Sequence, residues 1–386
     1  MTRLLVRGAR CLEGGRFGDA RDLWLESGSI APPAGAGAGA REIRLDGRFV
    51  LPALVNAHDV LDQSTLPPLG ARPPYPSLYE WIRASERELE RHASALAVPL
   101  ADRLFLGGMR NLLAGTAAVL HHHADHRCLG RPDFPVRVQR RYGFAHAPGT
   151  TAALRRTYRS SDRRIPWIVR AAEGSDGALR SELDVLLAAN VLRHNTVIAH
   201  GTALEPEDAV RLAAAGACLA WCPESDLRLY GRTAPLRAFR AAGVCVGLGS
   251  DGAATGARDL VSGLPVARHE SGLDEAGLLD LATRGSAEVA RLPLGGFEPG
   301  APADLLATGS PDALLAGERA AVALLLVRGE AAYGERALME AAGPVVPLTV
   351  DGQPRALAVA AGRRFASLLR RYPAAKAAAW LEGVAV

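Results

Sequence analysis

A chain of 386 residues, 48% of them hydrophobic, is long enough to bury one large core with a smaller one beside it. Its formal charge of only +4, with no dense basic run interleaved with aromatics, gives no basis for nucleic-acid or membrane-surface binding. The expected partner is a small-molecule substrate. Cys11, Cys128, Cys218, Cys222 and Cys245 are odd in number, scattered and free of Cys-x-x-Cys pairs. That argues against a disulfide framework or zinc knuckle and fits a reducing cytoplasm. The opening Met1-Thr-Arg-Leu-Leu-Val-Arg turns polar before signal-peptide length, and no apolar run reaches the roughly eighteen residues of a membrane span.

In chain order, residues 3–50 hold short alternating runs, Leu4-Leu5-Val6, Asp22-Leu-Trp-Leu and Ile43-Arg-Leu. They are interrupted by the low-complexity stretch Ala31–Ala40, expected as a surface loop. Next come Leu51-Pro-Ala-Leu-Val-Asn-Ala-His58, and Ala-Ala-Val-Leu running into His121-His122-His123 with His126 behind it. From about residue 165 the chain repeats one unit: a short apolar run, a polar tip, an amphipathic helix pattern, then glycine. Ile165 to Glu173, Thr196 to His200, Ala217 to Cys222 and Val244 to Asp251 are such runs. Apolar runs alternating with helices predict a parallel sheet in an α/β fold, because a strand covered by helices is apolar on both faces. Residues 303–350 return to short runs, Ala303-Asp-Leu-Leu-Ala and Ala323-Leu-Leu-Leu-Val-Arg-Gly. Neither end holds enough strands for a core of its own, so the two are expected to meet as one discontinuous β-sandwich.

The polar residues cluster at strand tips: His58, the histidine run at 121–123, Arg170, Glu173, His200 and Asp251. A barrel of parallel strands places its chemistry at those carboxyl ends. Cys222, in Trp221-Cys-Pro, reads as core packing rather than as a nucleophile. Gly247-Leu-Gly lacks the remaining glycine and helix opening of a phosphate loop.

The sequence resembles the chlorohydrolase and deaminase-like branch of the amidohydrolase superfamily. The likeness rests on Leu51–His58, Ala199-His200-Gly201, Trp221-Cys-Pro-Glu-Ser-Asp226 with Leu229-Tyr-Gly231, and Gly247-Leu-Gly-Ser-Asp251. It continues through Ala282-Thr-Arg-Gly-Ser-Ala287 and Gly295–Gly300 to Ala303-Asp304. The resemblance implies a TIM (β/α)8 barrel over residues 51–300. The small β-sandwich would be built from residues 1–50 and 301–386, the latter including a C-terminal tail. It also implies an ancestral hydrolysis of a carbon–nitrogen bond by deamination, amide cleavage or ring opening, and a homodimer as the default state.

Such families bind one or two divalent metals through His-x-His on the first strand, His on the fifth and sixth, and Asp on the eighth. Here His58, His200 and Asp251 match, while Val60 and Arg170 stand where two histidines belong. Valine and a guanidinium have no lone pair to give. A bridging carbamylated lysine is excluded as well, since the sole lysine is Lys376. Asp59 faces the wrong way for a strand residue to replace Val60, unless a bulge shifts it. The expectation is therefore no resident metal, with zinc or iron at low occupancy the alternative. Arg170 would pair with Asp251, near Glu173 and Glu224 or Asp226, filling the site electrostatically. In the catalytic version His200 is the general base and Arg170 the electrophile or anion anchor, with Asp251 and Glu173 beside them. His122, His123 and Ser225 would contact substrate. Two alternatives stand beside it: a metal hydrolase with a site relocated to His121 and His123, and a non-catalytic scaffold or regulatory subunit.

Overall fold

A computed structural model describes residues 3–33, 40–70, 72–158 and 165–386, so most of the alanine–glycine stretch at 31–40 lies outside it. Among the described residues eight short parallel strands follow one another. They are β1 (Leu54–Asp59), β2 (Thr116–His121), β3 (Arg137–Val138), β4 (Gly143–Ala145), β5 (Trp167–Ala171), β6 (Thr196–His200), β7 (Cys218–Trp221) and β8 (Cys245–Leu248). β1 to β3 form one sheet and β4 to β8 another, each in sequence order. The turn after β8 meets β1 through the Asp251 amide, which donates to the His58 carbonyl at 3.0 Å. This is the TIM-barrel order, and it brings the eighth strand's tip against the first. Every residue of β1, β2, β5, β6 and β7 is buried, as strands covered on both faces require.

The helix Leu100–Leu113, between β1 and β2, shows how the covering layer is held. Leu104, Phe105, Met109 and Leu112 are buried, and Gly107 permits the approach, since a Cβ there would lie 2.4 Å from the Leu61 carbonyl oxygen. Any larger residue at 107 would push the helix off β1.

The strands of the two chain ends are hydrogen-bonded into one continuous 11-stranded sheet. They join where Phe49–Pro52 runs antiparallel to Leu305–Thr308, with Val50 opposite Ala307. Leu4, Val6, Leu23 and Ile43 from one end pack in a common apolar cluster with Leu305, Leu324, Leu326 and Met339 from the other. The C-terminal segment is not a loose tail. Its helix Val359–Arg371 docks on the barrel, with the Arg364 guanidinium 4.1 Å from the Phe105 ring centre and 3.2 Å from Asp102 Oδ1. Further on, the Trp380 indole donates to the Ser64 carbonyl at 2.7 Å. None of the helices among the described residues is long and apolar enough to cross a membrane.

Candidate active site

The polar tips converge at the carboxyl end of the barrel. His200 closes β6 with φ of 68° and Asp251 follows β8 with φ of 56°. Both are left-handed conformations that non-glycine residues rarely adopt. Asp226 and Tyr230, four residues apart on the helix Pro223–Tyr230 after β7, share one face of it. Asp226 sits in that helix's first turn, where the amide dipoles favour a negative charge.

Arg170 spans the centre. Its Nε and Nη2 donate to the two carboxylate oxygens of Glu173 at 2.7 and 2.8 Å, and Nη2 also reaches Asp251 Oδ2 at 3.1 Å. The pairing with Asp251 is present, but the two parallel bonds go to Glu173. Glu173 further accepts from the Tyr230 hydroxyl at 2.6 Å. Burial opposes ionisation of both acids, yet Arg170 outweighs it and holds Glu173 and Asp251 below the usual carboxylate range.

The histidine protons can be placed from their partners. His122 Nε2 faces the Ala145 carbonyl at 3.0 Å and must donate, so its Nδ1 accepts from His58 Nε2 at 2.8 Å. His58 then keeps a lone pair on Nδ1, 3.5 Å from Asp251 Oδ1. Burial keeps His58 and His122 neutral, far below their ordinary pKa. His200 Nδ1 donates to Asp226 Oδ1 at 2.7 Å, and Asp226 is fixed in turn by the Thr233 hydroxyl at 2.8 Å. Burial lowers the His200 pKa, but Glu173, Asp251 and Asp226 outweigh burial and Arg170 and raise it. His200 Nε2 and Asp251 Oδ1 are buried with no hydrogen-bond partner among the described residues. His58, His200 and Cys222 have donor atoms within 4.8 Å of one another, so they form a group able to hold a metal ion.

Several expected residues do not meet this centre as anticipated. His122 is fully engaged between His58 and Ala145, so neither of its nitrogens is open to a substrate. The Ser225 hydroxyl donates to the Cys222 carbonyl at 3.1 Å, bound to its own helix rather than lining a pocket. His123 is partly exposed and pairs with Asp62 at 2.8 Å, while His121 accepts from the Leu61 amide at 3.3 Å. His122, not His121 or His123, is the histidine of that run that turns towards His58, because neighbouring residues at a strand end face opposite ways. The relocated metal site on His121 and His123 therefore has no support. Asp59 is held by Arg110 Nη1 at 3.0 Å and by Asn111 Nδ2 at 2.6 Å, away from the centre. The register of β1 against β2 does shift near it, without turning Asp59 inward. Tyr230 and Thr233 were not anticipated. For Tyr230 the available signal was its spacing of four from Asp226; for Thr233 the sequence offered none.

Glu224 stands apart from these groups. Burial, then nearby Asp259, raises its pKa to about 7, and its Oε2 has no hydrogen-bond partner among the described residues. A carboxyl raised above its unfolded value of 4.5 destabilises the fold progressively as pH climbs towards that higher value. Glu224→Gln is therefore expected to melt higher than the parent at about pH 8, by on the order of 2 kcal/mol, with the gain gone near pH 5. Thermal melts at the two pH values check it, and an unchanged difference would rule out the buried charge.

A segment leading into the helix Leu78–Leu89 lies over the site. The Leu78 amide donates to the Glu173 carbonyl at 2.9 Å and the Tyr75 amide to the Leu229 carbonyl at 2.7 Å. Tyr75, Leu78 and Trp81 pack on Leu229 and Tyr230, which keeps bulk water off the charged groups beneath.

Comparison with known proteins agrees with the fold. The amidohydrolase family model matches residues 166–349. A 126-residue stretch is 36% identical to a 5-methylthioadenosine/S-adenosylhomocysteine deaminase of Haloquadratum walsbyi, covering 30% of this chain and 28% of that protein. A 196-residue stretch is 32% identical to an 8-oxoguanine deaminase of Pseudomonas aeruginosa, covering 48% and 43%. The matched stretches thus span less than half the length of these relatives. Among solved structures, a zinc-bound adenosine deaminase from Xanthomonas campestris superposes with TM-score 0.72 at 20% identity, over 86% of this chain and 92% of that one. A zinc complex of atrazine chlorohydrolase from Arthrobacter aurescens gives 0.67 at 19%, over 85% and 94%. At these identities the structural likeness concerns the fold.

Proposed function

Because this chain belongs to the amidohydrolase superfamily, we propose that it hydrolyses a carbon–nitrogen bond of a small molecule, with Arg170 in place of a resident metal. The observation that carries this reading is the Arg170 guanidinium bridging Glu173 and Asp251, where the positive charge of the centre is now covalently fixed. His58, His200 and Cys222 are a poor fit to a tightly held ion. Arg170 already occupies one oxygen of Asp251, the carboxylate that would otherwise complete the ligand set. A cation there would also face a guanidinium across a single carboxylate.

The chemistry assigned to the remaining groups follows from their protons. Asp226 fixes the His200 tautomer, leaving Nε2 to take a proton from a water that attacks the substrate carbon. Asp251 Oδ1, the second unpartnered acceptor, holds that water by its other hydrogen. As the new carbon–oxygen bond forms, charge developing on the substrate is met by Arg170, whose Nη1 is not used in the bonds to Glu173 and Asp251. The proton on His200 then passes to the leaving nitrogen, the carbon–nitrogen bond breaks, and an amine or ammonia departs. Tyr230 holds Glu173 in line with Arg170.

The test is ammonia release from a panel of aminated heterocycles, beginning with 8-oxoguanine and 5-methylthioadenosine, with and without a chelator. Release is expected to be indifferent to chelator and to fall by about 10²–10⁴ in His200→Ala. Asp226→Asn should lower the turnover number more than it raises KM, since it disturbs a proton carrier rather than binding. Abolition by chelator, with recovery on adding zinc, would overturn the metal-free reading.

A further inference from the structure

At the opposite, amino-terminal end of the barrel, Cys218 and Cys245 open the neighbouring strands β7 and β8 and stand directly opposite each other in register. Registered residues of adjacent parallel strands point to the same face about 4.8 Å apart at Cα. That spacing is within the roughly 4.4–6.8 Å that a disulfide spans. Both are free cysteines, Cys218 buried and Cys245 only partly so. Cys245 lines a cavity of about 230 Å³ shared with Arg240, Asp280, Arg284 and Glu288. Cys11, Cys128 and Cys222 are all buried.

We infer that Cys218 and Cys245 form a reversible thiol–disulfide modification site, entered from the cavity at Cys245 and resolved by Cys218. Cys245 and Arg291 beside Cys218 favour its thiolate form, while Cys218 and burial keep Cys245 protonated, so Cys218 is placed to take the Cys245 proton. The co-reactant is a small disulfide such as glutathione disulfide. The Cys245 sulfur attacks one of its sulfurs as its proton passes to Cys218, that sulfur–sulfur bond breaks, one glutathione thiolate leaves, and a mixed disulfide remains. The Cys218 sulfur then attacks Cys245, its proton passing to the second glutathione thiolate as that departs. The protein dithiol is oxidised by two electrons and glutathione disulfide is reduced to two thiols. The bond formed ties together the two strands whose far ends lead to Asp226 and Asp251.

The full chain is incubated natively with glutathione disulfide, quenched with an alkylating agent, and mapped by peptide mass. Three of the five thiols should remain, one peptide pair should be joined through Cys218 and Cys245, and dithiothreitol should restore all five. Cys218→Ser should stop at the glutathione adduct on Cys245, and Cys245→Ser and Cys245→Ala should take up no glutathione. Five unreacted thiols in the parent, or a bond joining any other pair or two chains, would overturn the assignment. So would equal glutathione uptake by Cys218→Ser and Cys245→Ala.

Discussion

Arg170→Met is expected to lower the unfolding free energy by on the order of 3–5 kcal/mol. Methionine keeps much of the side-chain volume but removes the charge that compensates Glu173 and Asp251, both buried. Leaving buried carboxylates unpaired costs far more than an exposed ion pair contributes, because neither protein dipoles nor water replace the lost partner. In a chain of this size that corresponds to a fall in melting temperature of roughly 4–6 °C. Without the guanidinium, burial is opposed mainly by His200 and, for Asp251, His58, and the pKa values of the two acids rise. The defect should therefore be largest at about pH 8 and shrink as the acids are protonated near pH 5. Arg170→Lys, which retains the charge but not the two parallel bonds to Glu173, should fall between parent and Met variant. A Met variant melting with the parent would show that the bridge contributes nothing and would remove the basis for reading Arg170 as the fixed charge.

The second large effect is a gain. Val60→His with Arg170→His restores the two imidazoles that the family pattern places beside His58 and Asp251, while removing the charge that competes with an ion. Val60 is buried and lies next to Gly252, one residue beyond Asp251. Added zinc is expected to raise the melting temperature of this double variant and to leave the parent unmoved, since a ligand stabilises only a fold that binds it. With zinc at about one hundred times its dissociation constant the stabilisation amounts to roughly 2.7 kcal/mol. Equal stabilisation of parent and double variant would place the ion on His58, His200 and Cys222 instead, whose donors lie within 4.8 Å. Zinc titration of Cys222→Ser, followed by the same melts, separates that arrangement from adventitious binding.

The sequence by itself determined the architecture and the chemical oddity of the centre. Apolar runs such as Thr196–His200, followed by a helix and glycine, can be satisfied only by strands buried on both faces, which is a local and periodic signal. His58, His200 and Asp251 stood out because a polar side chain at the end of an apolar run is costly unless something meets it. Val60 and Arg170 stood out because neither can donate a lone pair. What only the tertiary structure decided is how those groups divide their partners. Arg170 could be matched to any of several acids, and the choice of two bonds to Glu173 and one to Asp251 depends on where the tips of β5 and β8 lie across the barrel. His122 rather than His121 or His123 turned inward because one residue of phase at the end of β2 reverses the direction of every side chain, and no local pattern sets that phase. Ser225 went to its own helix for a similar reason: a free hydroxyl in a first helical turn finds the nearest carbonyl before a ligand. The alignment of Cys218 with Cys245 came from strand register, a long-range property that two cysteines 27 positions apart do not advertise.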